Sequence, residues 1–92
     1  MNLYHVHFIL QHYGLPAQID QTQEECAELI VALNKWKRSK GKIDLKAVAE
    51  ELADVSIMVE QIKWGLECGP MVDRIITEKL GRTISRIAEE VD

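Results

Sequence analysis

Glu25 with Glu28, and Glu51 with Asp54, are two carboxylate pairs at the three-residue spacing that places both members on one face of a helix. Two such charges about 4 Å apart repel by about 4 kcal/mol at an effective dielectric near 20. A helical protein tolerates a cluster of this kind when a divalent cation neutralises it. An all-oxygen donor set suits Mg2+ or Mn2+. A carboxylate-bridged iron pair would need a Glu-x-x-His motif, and no His follows any Glu at that spacing. Spacing alone proves little, because 15 acidic residues among 92 produce such pairs by composition, Glu89 with Asp92 being another. Their surroundings say more. At 100° per residue Glu25 and Glu28 border an apolar seam beside Gln21 and Ala32. Glu51 and Asp54 lie on a strip with Ala47 and Met58, so both pairs are expected to be covered and to meet when two helices pack.

Those helices are marked by their stop signals. The first is expected from Leu3 to Tyr13, ending at Gly14, a residue type that tolerates positive φ. Pro16 suits the first turn of a second helix, which continues to about Ser39 and breaks at Ser39–Lys42. Asp44 is an N-cap candidate for a third helix, Leu45 to about Leu66. Gly69-Pro70 opens a fourth, running to about Glu90.

Leu45, Val48, Leu52, Val55, Val59, Ile62 and Leu66 recur at steps of three and four, predicting one continuous seam on the third helix. Ile19, Cys26, Leu29, Leu33 and Trp36 form a looser seam on the second. Val72, Ile76, Leu80, Ile84, Ile87 and Val91 form one on the fourth. No segment alternates with the period of two that a half-buried strand requires. The expectation is an all-α fold, an antiparallel four-helix bundle in a single domain over residues 1–92.

A chain of 92 residues has a marginal core of its own, yet 47% of it is apolar, with five aromatic residues. Burial against a second copy is therefore expected to complete the bundle, as a homodimer or homotetramer. The net charge of −4 argues against a protein that tracks a nucleic-acid polymer, which needs a basic surface. Cys26 and Cys68 form no metal-knuckle spacing and read as reduced thiols. The start MNLYHVHFIL has neither a signal peptide's basic region nor a membrane span's length, so a cytoplasmic location with no membrane partner is expected.

The run Glu24-Glu25-Cys26-Ala27-Glu28-Leu29, then a basic turn, then Glu51-Leu52-Ala53-Asp54-Val55, resembles the MazG-type all-alpha nucleoside triphosphate pyrophosphohydrolases. Their hallmark is EExxE on one helix and ExxD on the next, and the similarity extends over residues 18–86. The resemblance implies hydrolysis of an NTP or dNTP to monophosphate and pyrophosphate with bound Mg2+, Mn2+ being the substitute. It implies Glu25, Glu28, Glu51 and Asp54 as metal ligands. Glu24 and Glu51 are the candidate catalytic acids, Glu24 as an additional group that positions water or a second metal.

Lys79, Arg82 and Arg86 lie within about 60° of one another on the fourth helix. The family places Lys, Asn and Arg near here to hold phosphates. Lys79 matches that pattern best and Arg86 also matches it, whereas Thr83 stands where an amide is expected, and Lys79, Arg82 and Arg86 are the candidate substrate-binding residues. Trp36 and Trp64 are candidates for base stacking, and His12 for lining a base pocket. His5 and His7 point about 200° apart and do not chelate one ion. The alternatives to an enzyme are a non-catalytic helical oligomerisation module and a nucleotide sensor that keeps the site without turnover.

Overall fold

The computed structural model describes residues 1–91, so the Glu89/Asp92 pair extends outside the described residues. Among these the fold is all-helical, in four elements: α1 (Leu3–Tyr13), α2 (Leu15–Arg38), α3 (Lys46–Gly65) and α4 (Gly69–Val91). Among the described residues no helix is long and apolar enough to cross a membrane.

The ends are set locally. Asn2 Oδ1 accepts hydrogen bonds from the backbone N–H of Tyr4 at 2.9 Å and His5 at 3.3 Å, satisfying donors that the first turn of α1 leaves free. Gly14, at φ 89°, closes α1 through its N–H to Leu10 O and also precedes α2, whose first turn holds Pro16. Lys40 and Gly41 both adopt positive φ in the turn that reverses the chain after α2. α3 starts one residue later than expected, with Leu45 rather than Asp44 at the N-cap position, and Asp44 Oδ1 accepts from Lys46 N–H at 3.0 Å just ahead of the helix.

α2 and α3 form an antiparallel hairpin, and α1 packs across both. Val6 and Leu10 of α1 and Val48 and Met58 of α3 make up the buried apolar core. Gly65 lets α1 and α2 approach α3. A Cβ there would stand 2.7 Å from Leu15 Cδ1 and 3.2 Å from Leu10 Cδ2. Overpacking costs about 1–3 kcal/mol and the helix-propensity gain of Ala returns about 1. Gly65→Ala is therefore expected to destabilise by about 1 kcal/mol, a fall in Tm of roughly 4–8 °C for a domain this size. A Tm equal to or above wild type would mean that the two leucines move aside freely.

The four-helix bundle, which is expected to need a second copy for its completion, is open within one chain: α4 touches only α3 and none of its described residues is buried. The corner at Glu67, with φ 54°, turns the chain outward, and an ion pair of Lys63 Nζ with Asp73 Oδ1 at 3.2 Å ties down the start of α4. Lys63 also meets Glu60 at 3.3 Å. Contrary to expectation, the α3 seam is not continuous in its burial. Val48 is buried and Val55 and Ile62 are partly covered, but Leu45, Leu52, Val59 and Leu66, each seven residues apart, are exposed. The looser α2 seam is also mostly open, with only Leu29 partly covered. Buried in their stead are two amides, Gln18 and Gln61.

Candidate metal centre

Gln18 Nε2 donates to Gln61 Oε1 at 2.7 Å, the one buried polar cross-link between α2 and α3. Two helices with apolar and small residues along one seam face each other in rungs that repeat by the heptad. Seven residues along α2 from Gln18 stands Glu25, and seven back along α3 from Gln61 stands Asp54. One heptad further stand Ala32 and Ala47, with Glu28 opposite Glu51 in between. The amide pair thus sets the heights at which the carboxylates meet.

Glu25, Glu28 and Glu51 each bring a carboxylate oxygen within 4.8 Å of the others. Glu25 and Glu51 are partly covered, and Oε2 of each is out of solvent with no hydrogen-bond partner. Asp54 is exposed and lies outside this three-oxygen set, yet it adjoins Glu25 and adds its charge to both covered acids. Gln21 donates to Glu25 Oε1 at 2.8 Å. Gln21 lies on this strip in the sequence, but nothing there signals that it holds the Glu25 carboxylate in place.

The electrostatics follow from that crowding. The Gln21 hydrogen bond draws the Glu25 carboxyl down. Burial and the charges of Glu28 and Asp54 together outweigh it, and the group lies above its ordinary value of 4.5. Glu51 is raised by loss of water, then by the charges of Glu28, Glu25 and Asp54. In the window from 4.5 up to these raised values the folded state holds more protons than the unfolded chain. Stability without metal is therefore lost as pH rises through that window and regained as pH falls. Melting curves between pH 4.5 and 7 should show this slope in chelator, and Mg2+ should flatten it. The same slope with and without Mg2+ would mean that no ion meets these carboxylates.

The remaining expected site residues are placed elsewhere. Glu24 is exposed and outside the converging set. Lys79, Arg82 and Arg86 are exposed on α4, which makes no contact with α2, so this chain does not bring them to the carboxylates. Trp64 stacks on His7, ring centroids 4.0 Å apart, so one indole face is taken by a histidine. His12 stands edge-on to Tyr13, and Trp36 lies by the turn near Gly41. Beside Glu28 and Glu51 the small Ala32–Ala47 rung leaves a groove of about 350 Å3. Compared with known proteins, the chain matches no family model, no curated protein and no solved structure.

Proposed function

We propose that this chain is a divalent-cation-dependent nucleoside triphosphate pyrophosphohydrolase, converting an NTP or dNTP and water to the monophosphate and pyrophosphate. The supporting observation is the convergence of Glu25, Glu28 and Glu51 with two desolvated, unpartnered oxygens among them. Such oxygens are costly unless something pairs with them. Hard, anionic and all-oxygen, the set fits Mg2+, with Mn2+ as its substitute. The order EExxE then ExxD, which resembles the MazG-type enzymes, supports the same reading.

Glu25, Glu28 and Glu51 would hold the ion, with Asp54 adding charge at the edge and Gln21 orienting Glu25. When bound, the ion supplies Lewis-acid polarisation and a lowered pKa for water. Glu24, exposed and outside the converging set, or one of the ligands themselves would take the attacking water's proton. The proposed step is a single attack by water, with no covalent stage on the protein. Contact of Lys79, Arg82 and Arg86 with the departing pyrophosphate would come with assembly.

Ile76, Leu80, Ile84 and Ile87 of α4 are exposed, as are Leu45, Leu52 and Val59 of α3, apolar stripes of the kind that mark protein–protein contact. A homodimer or homotetramer is therefore expected. Light scattering at micromolar concentration should give a multiple of 10.5 kDa. A compact monomer with a sharp unfolding transition would refute assembly.

These uncovered faces also suit a non-catalytic oligomerisation module, and one experiment separates it from the enzyme. A panel of natural and damaged NTPs and dNTPs with Mg2+ should yield monophosphate and pyrophosphate from at least one member. Diphosphate and inorganic phosphate as products, or no turnover at all, would overturn the proposal.

A further inference from the structure

The groove beside the carboxylates is lined by Glu28, Glu51 and Lys35, with Ala27, Val31, Ala32 and Ala47 as its walls. It exists because the Ala32–Ala47 rung has the smallest side chains of the α2–α3 interface next to the acids. Lys35 is two turns beyond Glu28 on the same face of α2, about 10 Å further along the helix. That span is comparable with the length of a nucleoside monophosphate. Among the described residues Lys35 makes no ion pair.

Walls of methyl groups are poor company for a phosphate chain, which would lose hydration against them and gain a single cation. A flat heterocycle loses little there and buries its faces, as ligands do in mainly apolar clefts with a few placed polar groups. We propose that this groove seats the nucleobase of the substrate and that Lys35 reads the carbonyl edge of that base. The inference rests on the carboxylates binding the substrate's phosphates through a divalent ion. An ammonium group donates hydrogen bonds and accepts none. Uracil, thymine and guanine present a carbonyl oxygen at the relevant edge, whereas cytosine and adenine present an amino group. Bases with the carbonyl are selected.

UMP and CMP differ at that edge and serve as probes, titrated into the full chain with saturating Mg2+ by calorimetry. Wild type should bind UMP roughly tenfold more tightly than CMP, a modest ratio because Lys35 is exposed to water. Lys35→Gln, whose amide both donates and accepts, should bring the ratio near one by weakening UMP. Ala32→Leu should fill the groove and weaken both ligands while the Mg2+ titration stays as in wild type. Equal weakening of UMP and CMP by Lys35→Gln would assign the lysine to phosphate and overturn the proposal, as would unchanged binding in Ala32→Leu. Monophosphate binding is read without turnover, so the two readings fail separately. Selective binding with no triphosphate hydrolysis sinks the hydrolase alone, and hydrolysis without a Lys35-dependent preference sinks the groove alone.

Discussion

Glu51→Gln, given a triphosphate and excess Mg2+, is expected to release pyrophosphate about 10^3-fold more slowly than wild type, the scale of losing a group aimed at transition-state charge. The amide has nearly the shape of the acid, so packing against Glu28 and Glu25 survives and only a charge is lost. Glu51 stands where the other acids converge, and its own Oε2 lacks both water and a partner. More Mg2+ should not restore the rate, because the defect concerns how the ion is held as well as how tightly. Wild-type turnover in this variant would remove Glu51 from the chemistry and, with it, the proposed site.

The second large effect is on stability. An ion that binds the folded carboxylates and not the unfolded chain adds about 2.7 kcal/mol at one hundred times its Kd. For a domain of this length that is a rise in Tm on the order of 10 °C or more. Glu28→Gln should lose most of the rise, since Glu28 is one of the three converging ligands. Asp54→Asn should lose less, because Asp54 borders Glu25 outside that set. In chelator both amides should melt at or above wild type, one repulsive charge having gone. An identical Mg2+ shift in wild type and both variants would place the ion elsewhere.

Much of the fold was legible because helix ends are local events. Gly14, the Ser39–Lys42 break and Gly69-Pro70 each act within a turn of chain, and all four helices fall where those signals put them. The meeting of the acids was legible for a similar reason, since a 100° step fixes which residues share a strip, but not their cover: Glu25 and Glu51 are partly covered, whereas Glu28 and Asp54, expected to be covered with them, are exposed. What the sequence could not settle depends on partners in space. The seam of α4 announces an apolar face, but periodicity does not say whether its cover lies in the same chain. The α3 seam mixed two faces, one meeting α1 and α2 and one meeting nothing among the described residues. A search for apolar positions also passes over Gln18 and Gln61, whose amides are buried because each satisfies the other.

That amide pair bears on a failure that long hairpins invite. Two helices with heptad-spaced seams can slide by seven residues and still find apolar company. A shift of α3 in one direction would seat Glu25 on Gln61 and Glu28 on Met58, putting unpaired acids into the driest part of the interface. In the other direction Gln18 would meet Asp54, and Gln61 would run past the beginning of α2. A polar residue at a seam position lowers stability while rejecting such misalignments. The Gln18–Gln61 bond therefore acts as an index mark that favours this alignment of the hairpin over either slipped one.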